Sequence, residues 1–249
     1  MSVEIDRAQA QDEAVTDACA WLGVPRAQFF DLARQWHDRG RALWSETDPA
    51  GFYRAWTGDT GRVALCANIL DQFSRDIVWS ILHGVFTQVP VSFYLDYGCG
   101  SAALSFPFLG RCTGAVLVDV PNAQQEFVRW RLERAGLRDA VVTTPDAAES
   151  LPADSFGLIA CVDVLEHLPN PTAVFARLDQ QLAPGGMFVF RAPWAREDED
   201  FGEHLPEATA DWHRPAGGAE QLAARYRCLL GIEHGGLYLK ERAAGNHAT

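Results

Sequence analysis

Two apolar rhythms divide the chain. Between residues 6 and 86 apolar positions recur at helical spacing, whereas beyond residue 91 short apolar runs alternate with amphipathic stretches. The first rhythm predicts four or five helices, interrupted at Gly23-Val24-Pro25, at Gly40, at Asp48-Pro49 and over 58–61. Its clearest member covers 62–80, where Val63, Cys66, Ile69, Leu70, Phe73 and Ile77 form one apolar face. Asp48 and Pro49 read as the N-cap and first-turn proline of a helix carrying Phe52, Tyr53 and Trp56. The second rhythm predicts a buried strand ending at Asp96, strands over 114–120, 141–143 and 156–162, and a turn at 182–186 leading into a fifth. Helices are expected over 123–135, 171–182 and 219–226, and a helix-like stretch that Pro107 breaks early runs up to Leu109. Two strand-like pieces, 228–233 and 236–241, would complete an antiparallel edge. Strands alternating with helices in this way predict an α/β fold, a doubly wound sheet with an N-terminal helical cap.

With 249 residues, 48% of them hydrophobic, the chain is long enough for one such domain and an appended helical piece. The formal charge of -12 and the isoelectric point near 4.9 argue against a nucleic-acid partner, which needs clustered Lys and Arg. The first residues lack the basic and apolar regions of a signal peptide, and no apolar run approaches membrane-spanning length, so no membrane partner is expected. Six scattered cysteines without a Cys-x-x-Cys pair indicate neither a zinc site nor a disulfide framework, which fits a reducing cytoplasm. The acidic run at 196–203 reads as solvated and the tail from 243 to 249 as disordered.

The chemistry concentrates in Asp96-Tyr97-Gly98-Cys99-Gly100, where a buried strand ends in an acid and breaks into glycine. Such a turn lets a nucleotide-like ligand lie against the backbone. Read loosely, with Ala103 in third place, it also satisfies a dinucleotide fingerprint, but an acid beside the turn repels a pyrophosphate. Asp96 instead suits a ligand that carries an ammonium group. Asp119 ends the second strand about 20 residues further on, where a carboxylate can accept hydrogen bonds from both hydroxyls of a ribose.

The acid-x-Gly-x-Gly turn resembles the first motif of the class I S-adenosylmethionine (SAM)-dependent methyltransferases, with Ala102 where that family often has a third glycine. The run Asp163-Val164-Leu165-Glu166-His167-Leu168 with Pro169, and the turn Leu182 to Gly186 into a strand, resemble the later motifs of its small-molecule members. The resemblance implies a Rossmann-like sheet and SAM as cofactor, with S-adenosylhomocysteine as product. It assigns cofactor contacts to Asp96, Gly98, Gly100, Asp119 and Val120; Cys161, which ends the fourth strand, is a further cofactor-binding candidate whose bland reading is a small packing residue. It also puts Asp146 against the adenine amino group and the Ala147 N–H against a ring nitrogen. On this reading residues 1–88 are a helical cap or substrate lid, 89–242 the SAM-binding core and 243–249 the tail.

The acceptor side is less legible. His167, His204 and His213 are the candidate catalytic groups, because imidazole exchanges protons near neutral pH; Asp163 and Glu166 stand close by in sequence. Tyr53, Trp56, Trp194 and Trp212 are candidate substrate contacts, and Arg75 a further residue fronting the turn, although large aromatics mostly serve packing. No metal is expected, since no two histidines stand at a ligand-like helical spacing and no acid completes a recognised set. The expected function is methyl transfer to a small molecule in specialised (natural-product) metabolism. The alternatives are a methyltransferase fold turned to intramolecular displacement or cyclisation, and a non-catalytic SAM-binding or interaction protein. A homodimer is left open.

Overall fold

A computed structural model describes residues 5–44, 49–195 and 204–242. The proposed Asp48 cap, the acidic run at 196–203 and the tail at 243–249 lie outside the described residues.

Among the described residues six helices precede the sheet: α1 (Arg7–Leu22), α2 (Arg26–Arg34), α3 (Trp36–Leu43), α4 (Pro49–Arg54), α5 (Gly58–Ser74) and α6 (Asp76–Gln88). Gly23 at φ +66° closes α1 at the first predicted break, and Asp6 caps its start by accepting from the Ala8 N–H at 3.1 Å. Gly40, expected to break a helix, lies inside α3, where its missing β-carbon leaves room for the Trp36 ring, 3.0 Å from where that carbon would be. The stretch expected as one helix over 62–80 is two. Arg75 leaves helical geometry at φ -86° and ψ 66°, and its side chain turns to pair with Asp163. Ile77 therefore falls on the outside, 51% exposed, while Val63, Cys66, Ile69 and Phe73 are buried as the pattern requires.

The sheet has the order β3-β2-β1-β4-β5-β7-β6. Its strands are β1 (Phe93–Tyr97), β2 (Gly114–Val118), β3 (Ala140–Thr143), β4 (Phe156–Val162), β5 (Leu182–Arg191), β6 (Tyr226–Ile232) and β7 (Gly235–Lys240). The first five run parallel, and β6 and β7 supply the antiparallel edge. Between them lie α7 (Ala123–Ala135), the short α8 (Pro145–Ala148), α9 (Pro171–Gln181), α10 (Pro206–His213) and α11 (Gly218–Arg225). No α-helix follows β1. Ala102 takes φ +52° and the chain passes instead into a 3-10 turn, Phe106–Arg111, with Pro107 in its first turn.

Because strand side chains alternate, the sheet has two apolar faces. Tyr94, Ala115, Leu117, Leu158 and Val189 join α1, α2, α5, α6 and α7 in one cluster, so the N-terminal helices share a core with the sheet. Leu95, Ile159, Cys161, Phe188 and Phe190 pack with α9, α10 and α11 on the other. A third, smaller cluster gathers Phe52, Trp56 and Ala64 with Trp36, Trp44 and Tyr53 at the mouth of the sheet.

Candidate active site

A cavity of about 1310 Å³ opens between the N-terminal helices and the C-terminal ends of β1, β2 and β4. This is where the strand order reverses, the point at which doubly wound sheets bind their ligands. A pocket for one drug-sized ligand holds roughly 300–1,000 Å³, so the space admits two molecules side by side.

Its floor is the glycine turn. Gly98 at φ +78° and Gly100 at φ +54° use the left-handed region. A β-carbon on Gly98 would overlap the Val164 side chain, and one on Gly100 would stand 2.8 Å from Asn68 Oδ1 and 2.9 Å from Gln72 Nε2. The Gly98 and Cys99 N–H groups both donate to the Val118 carbonyl, at 2.8 and 3.0 Å. Asp119 accepts from the Gly100 N–H at 2.6 Å and from the Val120 N–H at 2.8 Å, so one carboxylate ties the turn to the end of β2. Burial pushes Asp119 up to about 6, against the lowering effect of those two donors.

From behind, α5 clamps the turn. Gln72 donates to the Cys99 carbonyl at 2.9 Å and accepts from the Leu104 N–H at 3.1 Å, while Asn68 accepts from the Ser101 N–H at 3.0 Å. The sequence reading missed both amides. Their signal was present: two uncharged polar residues four apart on an apolar helix face buried backbone that needs partners.

Asp96 lies on the Tyr94 face of β1, receives the Ser105 hydroxyl, and borders a small void shared with Gly98 and Arg75 rather than the large cavity. Burial raises it to about 7; Ser105 opposes that rise and Asp119 adds to it. The folded protein thus keeps a proton that the unfolded chain, at 3.8, has released. This contribution to stability is full below the unfolded value and lost as pH rises through the folded one. Within that window unfolding free energy is expected to fall by about 1.4 kcal/mol per pH unit for this group. Urea melts of Asp96→Asn should show a flatter profile between about pH 5 and 7; a slope equal to wild type would remove Asp96 as its source.

The remaining predicted residues separate into two groups. Val120, Asp146, Tyr53, Trp56, His167 and His204 line the cavity with Gly98, Gly100 and Asp119. The Tyr53 and His167 rings stand 5.7 Å apart and the His167 and His204 rings 5.1 Å apart. Cys161 is buried inside the sheet core, and the Ala147 N–H is used in capping α8, where it donates to Thr144 at 3.3 Å. His213, Trp194 and Trp212 stand away from the cavity. Trp212 is sandwiched between Phe190 and Trp194 at 5.2 Å from each, and His213 is exposed against Trp194. The reason is that α10 docks on α9: Asp211 accepts from the Thr172 N–H at 2.9 Å, which turns this helix onto the other face of the sheet.

At the end of β4, Asp163 takes φ +55° and pairs with both Arg75 and Arg191, and all three border the cavity. Glu166 sits just behind, fully buried, with neither carboxyl oxygen hydrogen-bonded among the described residues. Burial, with Asp163 beside it, pushes Glu166 well above the usual carboxylate range.

A mostly parallel sheet of this order, with an acid-x-Gly-x-Gly turn at its switch point and a carboxylate at the end of β2, defines a fold of the Rossmann-like class. Residues 80–228 match the family described as "Methyltransferase domain". The chain belongs to that family, the class I SAM-dependent methyltransferases. Over 98 residues it is 29% identical to a ubiquinone biosynthesis O-methyltransferase of Pseudomonas syringae pv. tomato, covering 39% of this chain and 42% of that protein. The curated relative from Hahella chejuensis is 31% identical over 97 residues, with 39% and 41% covered. The chain thus spans about 42% of the length of the first of these relatives. Among solved structures, the N-methyltransferase NodS from Bradyrhizobium japonicum, in complex with S-adenosyl-L-homocysteine, is 18% identical, covers 68% of this chain and 87% of its own, and has a TM-score of 0.53. An O-methyltransferase family protein from Burkholderia thailandensis is 16% identical, covers 85% and 70%, and has a TM-score of 0.51. At these identities the structural likeness speaks to the fold. Among the described residues no helix is long and apolar enough to cross a membrane.

Proposed function

We propose that this protein transfers a methyl group from SAM to a small-molecule acceptor, in specialised metabolism and in the cytoplasm. The observation that carries the reading is the pairing of the Gly98–Gly100 cradle with Asp119 at the floor of a cavity large enough for two ligands. SAM brings a sulfonium whose methyl group is already electrophilic, so the protein has chiefly to hold, orient and exclude water. Gly98 and Gly100 let the donor approach the backbone. Asp119 still has lone pairs to accept from ribose hydroxyls after binding the Gly100 and Val120 N–H groups. Asp146, exposed at the cavity edge after β3, is the candidate acceptor for an exocyclic amine.

The helices over 7–88 act as the acceptor's lid, with Trp36, Tyr53 and Trp56 supplying an aromatic wall that suits a planar or apolar molecule. Of the three candidate histidines, His167 and His204 line the cavity, which supports these two as the groups that meet an acceptor. Six unpaired cysteines agree with a reducing compartment.

Isothermal titration of S-adenosylhomocysteine is the direct test. Binding is expected in the wild type and at least about tenfold weaker in Asp119→Ala, because two hydroxyls lose a charged acceptor. Absence of binding of both SAM and its product would overturn the reading, and an unchanged Kd in the variant would show that another acid holds the ribose. Labelled SAM incubated with extracts, followed by mass spectrometry, then tests whether a methyl group moves.

A further inference from the structure

The expectation of no metal rested on the helical spacing of the histidines and on the lack of an acid to complete a set, and the fold joins two elements. Glu166 and His167 lie in the 3-10 turn Leu165–His167 that follows β4, and His204 lies just ahead of α10. The Leu205 N–H donates to the Glu166 carbonyl at 2.8 Å, which pins the second segment beside the first. One carboxylate oxygen and one nitrogen from each imidazole then lie within 4.8 Å of one another. From this geometry we infer that Glu166, His167 and His204 form a site for a first-row divalent cation, with Zn²⁺ the best match.

Three observations support it. The donor set, two imidazoles and a carboxylate, is one that binds catalytic zinc through three protein ligands and leaves further positions open. Glu166 is 0% exposed, yet both its oxygens lack a hydrogen-bond partner among the described residues, a costly arrangement that a bound cation relieves. The group is also nearly assembled: ligands held about 2.0–2.2 Å from one ion lie roughly 3–3.5 Å apart, and His167 Nε2 is already 3.9 Å from Glu166 Oε1.

Only the role of the ion rests on the methyltransferase reading. His167 and His204 border the cavity while Glu166 stands behind them, so open coordination positions face the acceptor. They favour an acceptor that offers a hydroxyl. On coordination that hydroxyl releases its proton to solvent more readily. An oxygen lone pair then forms the new O–CH3 bond while the S–CH3 pair returns to sulfur, which leaves a neutral thioether.

The test is titration of the metal-stripped full chain with ZnCl2, followed calorimetrically and by metal analysis after dialysis. One ion per chain is expected, with Kd weakened at least about tenfold in both Glu166→Gln and His204→Ala, since even residues behind the ligands cost 10–100-fold. S-adenosylhomocysteine affinity is measured on the same samples. Zinc binding that is absent, or equally tight in both variants, overturns the site and leaves methyl transfer standing if S-adenosylhomocysteine still binds. His204→Ala, at a partly exposed position, keeps the test valid if the buried Glu166 change impairs folding.

Discussion

Gly98→Ala is expected to abolish cofactor binding and to destabilise the protein by about 2–5 kcal/mol. Two costs combine. At φ +78° an L side chain pays roughly 1–2 kcal/mol of left-handed strain. Its β-carbon must also displace Val164, which is fixed between β4 and the turn that carries His167, an overpacking cost of about 1–3 kcal/mol. For a chain of this size about 2–4 °C of melting temperature is lost per kcal/mol. The cofactor is expected to suffer more than the fold, because displacing Val164 shifts the turn that forms the proposed cradle. Thermal melts with and without S-adenosylhomocysteine measure both effects. The double variant Gly98→Ala with Val164→Ala should recover the packing part and leave the strain. A single variant that melts like wild type and binds normally would mean that this turn is not the cofactor cradle.

Asp163→Ala is expected to cost about 3 kcal/mol or more, the range for removing one partner of a buried ion pair. The Asp163 side chain is 11% exposed and serves Arg75 and Arg191 together. Its loss leaves two guanidinium groups facing each other across the cavity wall, one of them at the junction of α5 and α6. Arg75 keeps Asp71 and Arg191 keeps some solvent, which places the effect at the lower end of the range. Asp163 also takes φ +55°, where Asp and Asn are tolerated better than Ala. Asp163→Asn should therefore lose less, and urea unfolding separates the two. A change within about 0.5 kcal/mol for the alanine variant would show that the network contributes nothing to stability.

The strands, the glycine turn and the order of the acids were legible because each depends on short-range chemistry. An apolar run ended by Asp-x-Gly-x-Gly has few backbone solutions, and Asn122 and Gly136 cap α7 at the bounds that its own pattern implies. Where distant segments compete with local pattern, reading along the chain failed. The α5–α6 break arises because Arg75 reaches Asp163, which no window around Arg75 contains. The helix expected after the turn gives way to a left-handed Ala102 and a 3-10 turn, since that backbone is held by Asn68 and Gln72 from another element.

The same division runs through the site. By itself the sequence determined that a left-handed glycine turn closes the first strand, with Asp119 at the end of the second, because glycine conformation and strand termination are local properties. Only the tertiary structure decided which side chains face that cradle. It brought His204 to Glu166 and His167 through a backbone hydrogen bond, and it sent His213, Trp194 and Trp212 to the far face by docking α10 on α9. Such placements depend on packing between segments far apart in the chain, which leaves no periodicity to read.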